Sequence, residues 1–430
     1  MTSFKVRAEK WLLQIQKYSH LDLAYLGRAG FWSGLDFILS SILGLALTVF
    51  FANLLSRETY GVYRYILSLL GTLEILTLAS VNDAVTRTVA QGHEEALDYG
   101  VKLQLRWNLI YLAAVFSAAG YYFFQGNKLF TAAILIVGVY AYLKSALWTC
   151  RSFWLGKKDF RMVAIYSFTI TIVHILTIIA TLFFTKNILV IFLTDSLSAL
   201  CVNLFFYQKT KALIPPKKAD EKLKKDIFGY SLHGSVIKAI ATLAAYIDKL
   251  VLFQFLGPAQ LAVYSLAAAA PERIKGLSKI LVNIAAPKLA ERSLKDIEQS
   301  FNRRMRQGLL LGLLLAVIYV PAAPLVFKYL MPRYLESVIY SQWLSIIFVL
   351  SISGAYAAGA NQAQRLIKIP YISSTISNIF IIGAIIIGGA FWGIIGVVLA
   401  RAIGSLFGFL FGWLIWKTEV KKMLRQEIKS

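Results

Sequence analysis

The chain has 430 residues, 58% of them hydrophobic, 14% aromatic and only 16% charged, with a mean hydropathy of +0.64 and a formal charge of +23. That balance excludes a soluble globular domain. The charge gives no reason to expect nucleic-acid binding if it is distributed as membrane topology requires.

In chain order, residues 1–29 begin "MTSFKVRAEKWLLQIQKYSH", which is basic and lacks the continuous apolar core of a cleaved signal. Trp11, Leu12, Leu13 and Ile15 among lysines predict a short helix on the membrane surface. Twelve windows of about 20 apolar residues follow, each able to cross ~30 Å of hydrocarbon. They lie at about 31–54, 61–81, 106–125, 129–149, 162–184, 188–207, 229–255, 260–282, 308–329, 338–360, 371–390 and 393–416. Residues 30–207 therefore form a first lobe of six spans, 208–228 a basic linker, 229–416 a second lobe of six, and 417–430 a basic tail. With the N-terminus in the cytoplasm, 32 of the 45 Lys and Arg fall on the cytoplasmic side and 5 on the other. This positive-inside pattern predicts that both termini are cytoplasmic.

The loops leave little room for catalysis. External connections are as short as "GPAQ" at 257–260, and the linker "QKTKALIPPKKADEKLKKD" holds no domain. No phosphate-cradling Gly loop and no His/Cys metal spacing occurs, so neither an enzyme, a cofactor nor a metal is expected. Cys150 and Cys201 read as free thiols, and His174 and His233 as hydrogen-bonded interior side chains.

The two halves resemble each other at an offset of about 200 residues: Leu55, Val62 and Tyr63 fall on Leu256, Val263 and Tyr264, and Arg87 on Lys288. Six spans per half make this a parallel repeat, related by a pseudo-two-fold along the membrane normal. The expected fold is an all-α integral membrane protein of about twelve helices in two lobes around a central cavity.

Eight bases remain inside the spans: Arg64, Lys144, Lys238, Lys249, Arg273, Lys275, Lys279 and Arg401. Five acids accompany them: Asp36, Glu74, Asp195, Asp248 and Glu272. A lone charge at mid-bilayer costs at least ~2.5–3.5 kcal/mol, so such groups line a cavity or pair with one another. At 1.5 Å per residue from Leu261, Glu272 and Arg273 lie about 17 Å deep, near the midplane. Lys238, Thr242, Ala245 and Lys249 share one helical face. Two readings stand: structural ion pairs such as Glu74 with Arg273, or an anion-attracting cavity. In the second, Arg64, Arg273, Lys249, Arg401, Lys275 and Lys238 bind substrate, Asp36, Glu74, Asp248 and Glu272 pair with them or couple to ions, and Pro271 provides a hinge.

The stretches "LLSRETYGVYRYILSLLGTLEILTLASVNDAVTRTVAQ", "YIDKLVLFQFLGPAQLAVYSLA" and "GANQAQRLIKIPYISSTISNIFIIGAIIIGGAFWGIIGVVLARAIGS" carry a family resemblance. Over residues 30 to 416 the chain resembles the Wzx-type polysaccharide flippases of the multidrug/oligosaccharidyl-lipid/polysaccharide (MOP) exporter superfamily. The resemblance implies alternating-access movement of undecaprenyl-diphosphate-linked oligosaccharide across the bacterial cytoplasmic membrane. It also implies membrane lipids as surroundings, H⁺ or Na⁺ coupling, a monomer, and a polysaccharide polymerase or glycosyltransferases as partners. The alternative on the same fold is a cation-coupled drug or metabolite exporter. The basic excess within the spans argues against it, because sites for cationic drugs are acidic or apolar.

Overall fold

The computed structural model describes residues 23–214, 217 and 219–427. The surface helix expected around Trp11 lies outside them. Among the described residues every regular element is helical. The α-helices are α1 (Leu23–Leu54), α2 (Arg57–Leu73), α3 (Val81–Ala90), α4 (Ala96–Trp107), α5 (Leu109–Phe124), α6 (Lys128–Leu147) and α7 (Thr149–Gly156). They continue with α8 (Phe160–Phe184), α9 (Ile188–Ala212), α10 (Glu221–Ala290), α11 (Leu294–Leu330), α12 (Ser337–Ala363) and α13 (Lys368–Glu427). Each apolar window falls largely on helix, and among the described residues eight helices, or nine counting one bent pair, are long and apolar enough to cross a membrane. The chain is a multi-pass membrane protein.

Helix starts follow from side chains that satisfy the free N–H groups of a first turn. Ser56 accepts from Thr59 N, Asn127 from Phe130 N, Asp159 from Met162 N and Asp220 from Leu223 N. Two long helices are each broken once. In α10 the only non-helical residue is Gly257 (φ 81°, ψ −178°), a conformation closed to side-chain-bearing residues. The chain reverses there. Tyr264 donates to Asp248 at 2.5 Å across 16 residues, a stretch that would span about 24 Å of straight helix. Gly393 (φ 58°) breaks α13 in the same way, and a Cβ on Gly396 would lie 1.8 Å from the carbonyl oxygen of Gly388. Pro271, the expected hinge, lies within continuous helix in this structure. The reversal of the chain lies instead at Gly257, where φ is positive.

The window at 61–81 is also bent: α2, a turn at Glu74–Leu76 and α3 meet at 60°. The basic linker is shorter than the sequence suggests, because α9 runs to Ala212 and α10 begins at Glu221. Lys217 within it reaches Glu95 at 2.9 Å. Burial pushes the Glu95 carboxyl up, but its backbone hydrogen bond, Lys217 and His93 outweigh this and hold it below the usual range.

Helices α8 and α9 pack on α1, α6 and each other, while α10 to α13 pack together. Helix α10 joins the sets, lying against α2 and more lightly against α1 and α3. Its start belongs to the core of the first set: Ile227 packs with Leu78, Val81 and Val85, and Ser235 accepts from the Ser80 backbone N–H at 3.1 Å. Large apolar side chains such as Leu310, Leu314 and Val317 on α11 and Phe183 on α8 face outward, as lipid contact requires.

Candidate functional site

A cavity of about 1180 Å³ lies between α1, α2, α6, α8 and α9 on one side and α10 and α13 on the other. Its wall carries seven cations, Arg64, Lys144, Lys249, Arg273, Lys275, Lys279 and Arg401, against three carboxylates, Glu74, Asp195 and Glu272. The formal excess is four positive charges.

These cations form two groups that differ in pairing. On the α10 and α13 side, Arg401 Nη1 donates to Asp248 Oδ2 at 2.8 Å, to Glu272 Oε1 at 2.9 Å and toward the Tyr264 hydroxyl at 3.0 Å. Lys249 Nζ lies 3.5 Å from Asp248 Oδ1 and 3.9 Å from Glu272 Oε1. Asp248 is fully buried at 1% exposure, so it sits behind the wall, while Glu272 at 36% faces the cavity. Two cations and two carboxylates make this cluster neutral, which is the condition for holding charge at such depth.

The other five cations, Arg64, Lys144, Arg273, Lys275 and Lys279, make no ion pair among the described residues. Arg64 sits one turn beyond Tyr60 on α2, and its Nε is buried without a partner. Arg273 comes from the second leg of α10 and lies over Gly44 of α1. A Cβ at Gly44 would approach its Nη2 to 2.4 Å, so the missing side chain there is what admits the guanidinium. Arg64 is partly buried, while Lys144, Arg273, Lys275 and Lys279 are exposed toward the cavity, so all five cations lie within reach of a solute that enters it.

One end of the cavity is built differently. There Gly61 on α2 meets the second leg of α10 so closely that a Cβ would lie 1.8 Å from the Pro258 carbonyl oxygen. Phe51, Tyr60, Tyr63 and Phe192 stack beneath, with Tyr63 and Phe192 rings 5.0 Å apart. Beyond them Arg57 pairs with Glu336 at 2.6 Å and also bonds the Arg333 carbonyl, and Asn53 donates to the Leu330 carbonyl at 2.7 Å. The two sets of helices are thereby joined at this end.

Of the residues singled out from sequence, Arg64, Arg273, Lys249, Arg401, Lys275, Glu74 and Glu272 line the cavity. Asp248 backs it. Two do not reach it. Lys238 is corrected: its ammonium pairs with Asp83 at 2.5 Å, because the first half of α10 leans on α3 and turns that side chain away. Asp36 lies on α1 outside the wall and accepts from Ser40 at 3.4 Å. The ion pair considered between Glu74 and Arg273 does not form. Lys144 and Lys279, which the sequence did not single out as substrate contacts, also line the cavity, and His174, expected as a hydrogen-bonded interior side chain, lies with its Nδ1 2.5 Å from Asp195 Oδ1 on the cavity wall. Helical-face arithmetic from Tyr140 to Lys144 and from His174 to Thr171 would have marked that side. Among the described residues no group of three or more His, Cys, Asp or Glu converges as a metal site.

Comparison with known proteins fits this geometry. The profile of a family described as "Polysaccharide biosynthesis protein" matches residues 26–277, more than half of the chain. No curated protein matches significantly. Among solved structures the chain is similar to the inward-facing conformation of a multidrug resistance MATE family transporter of the MOP superfamily. The TM-score is 0.66 at 16% identity, over 89% of this chain and 96% of that one. It is similar to the lipid II flippase MurJ in its inward closed conformation, with TM-score 0.66 and 16% identity over 89% and 87% of the two chains. An outward-facing MATE family transporter gives TM-score 0.60 at 14% identity, over 93% and 96%. These likenesses establish the fold as that of the MOP superfamily.

Proposed function

The chain belongs to the polysaccharide biosynthesis protein family, and from that premise we propose that it is a flippase, a transporter and not an enzyme. Its substrate on this reading is an undecaprenyl-diphosphate-linked oligosaccharide, carried from the cytoplasmic to the outer leaflet of the bacterial cytoplasmic membrane. The observation that carries the reading is the group of five unpaired cations, Arg64, Lys144, Arg273, Lys275 and Lys279, around one cavity. A diphosphate supplies the missing anion, and Arg64 and Arg273 suit it because planar guanidinium groups bind phosphate oxygens in pairs. The sugars occupy the cavity while the isoprenoid tail stays in lipid.

Split at Gly257 and Gly393, and with α2 to α3, α4 to α5 and α6 to α7 each taken as one span, the helices number twelve, six before the linker and six after. Arg57 and Pro258 open corresponding helices at the 201-residue offset of the repeat, which supports two lobes. With both termini cytoplasmic by charge, the joined Gly61 end faces away from the cytoplasm and the structure is inward-facing. The higher score against an inward-facing relative favours this. Glu74, which makes no ion pair among the described residues, and Asp195, whose Oδ1 lies 2.5 Å from His174 Nδ1, are the wall carboxylates where H⁺ or Na⁺ would act. Membrane potential adds drive, since each net negative charge moved outward gains ~2.3 kcal/mol per 100 mV.

The test is leaflet accessibility of a fluorescent lipid-linked oligosaccharide in proteoliposomes. Arg64→Ala and Arg273→Ala are each expected to abolish transfer with normal folding and insertion. Full transfer in both variants defeats the reading, and efflux of small organic cations that depends on Glu74 would establish an exporter instead.

A further inference from the structure

The neutral cluster on the α10 and α13 side has one member that differs from the rest. Asp248 is committed on both oxygens: Oδ2 accepts from Tyr264 at 2.5 Å and from Arg401 at 2.8 Å, and Oδ1 accepts from the Lys249 backbone N–H at 2.8 Å. It is 1% exposed, so no solute reaches it. Glu272 uses only Oε1, is 36% exposed and faces the cavity. Arg401 and Lys249 therefore share two counter-charges, Asp248, which is buried and fixed, and Glu272, which is reachable from the cavity.

Resting on the flippase reading, we propose that Glu272 is a resident counter-anion: it occupies, in the empty cavity, the place on Arg401 and Lys249 that a substrate phosphate group takes. Charge balance permits the exchange. Removing the Glu272 carboxylate uncovers close to one positive charge on a pair that Asp248 otherwise half-neutralises, and one phosphate restores it. Geometry permits it too, since Glu272 leaves by side-chain rotation on the cavity surface, whereas Asp248 cannot leave without breaking three hydrogen bonds. The exchange would keep empty-cavity affinity for anions moderate, so that the substrate released on the far side is replaced by Glu272 and does not stay bound.

The experiment measures binding of farnesyl diphosphate to the purified full-length chain, beside oligosaccharide transfer in proteoliposomes. Glu272→Gln keeps the side-chain volume and removes the competing charge. It is expected to tighten binding at least about tenfold, the worth of one charge-assisted contact, while transfer slows because release slows. Asp248→Asn is expected to bind no better than wild type, since it unseats Arg401. The idea is overturned if folded Glu272→Gln binds equally or more weakly, or if Asp248→Asn gains as much, which would make the effect one of general field. Should Glu272→Gln fail to fold, Glu272→Asp, whose shorter reach withdraws the carboxylate from Arg401, must tighten binding instead, and unchanged affinity there overturns the idea as well. Wild-type protein that binds farnesyl diphosphate while Glu272→Gln shows no gain defeats this exchange alone, whereas a wild type that binds none defeats the flippase reading and the exchange with it.

Discussion

The two ends of the cavity are made of different material. Where Gly61 meets Pro258 the helices are joined by backbone approach and stacked rings, and the charged groups there, Arg57 and Glu336, neutralise each other. Further along α2 and the second leg of α10, Arg64, Arg273, Lys275 and Lys279 stand unpaired. The seal rests on shape, which permits two discrete arrangements of packed surfaces. The cationic wall rests on charge without an ion-pair partner, which on the proposed reading a substrate anion would satisfy. A residue's weight in transport should therefore depend on which of the two it serves.

The largest effect is expected at the seal. Gly61→Ala places a methyl group 1.8 Å from a backbone oxygen, which no side-chain rotation relieves. Overpacking of this kind costs about 1–3 kcal/mol, enough to shift the balance of the two arrangements by roughly ten- to a hundredfold. Oligosaccharide transfer should fall by that order in protein that still elutes as a folded monodisperse species. Retained transfer would mean that the Gly61 contact does not belong to the transport cycle.

Gly44→Val probes the charged wall with a superficially similar clash. Here the obstructed group is the far end of Arg273, 2.4 Å from the new Cβ, and a flexible side chain can move. Folding should be unaffected while Arg273 is pushed aside, and farnesyl diphosphate binding should weaken about tenfold, one charge-assisted contact. Unchanged binding would show that Arg273 does not hold the anion.

The ion pair above the seal ranks third. Arg57 and Glu336 are 42% and 45% exposed, and exposed pairs contribute at most about 1 kcal/mol. Arg57→Glu should slow transfer no more than about fivefold, and adding Glu336→Arg should recover most of it. If the double variant is worse than either single one, the pair is not what joins the two sides there.

Much of this arrangement was legible in the sequence, for physical reasons that also set the limit. Apolar windows are long and unambiguous, so α8 at Phe160–Phe184 matches the expected 162–184 within two residues. The turn "GPAQ" announced the reversal at Gly257. The charges placed inside the spans were readable too, and Glu272 and Arg273 do line the cavity. What periodicity cannot supply is the neighbour. It gives a side chain's direction about its own helix, but not which helix lies there. For that reason nothing in the sequence set Lys144 and Lys279 beside the other cavity cations, and the pairing of Arg401 with both Asp248 and Glu272, from residues over 120 positions apart, had no local signal.

Lys238 shows that limit most clearly and gives the smallest predicted effect. It shares a helical face with Lys249, eleven residues on, yet the two ammonium groups serve different partners because α10 leaves the cavity for α3 between them. Lys238 is 45% exposed and Asp83 is 52% exposed, so their bond is a solvent-screened one. Lys238→Ala should leave both farnesyl diphosphate affinity and oligosaccharide transfer within about twofold of wild type. Lys249→Ala, on the same face, should leave Glu272 and Asp248 with one cation between them and lower transfer severalfold more. A Lys238 variant as impaired as the Lys249 variant would mean that the first leg of α10 turns into the cavity during transport, bringing Lys238 to the anion after all.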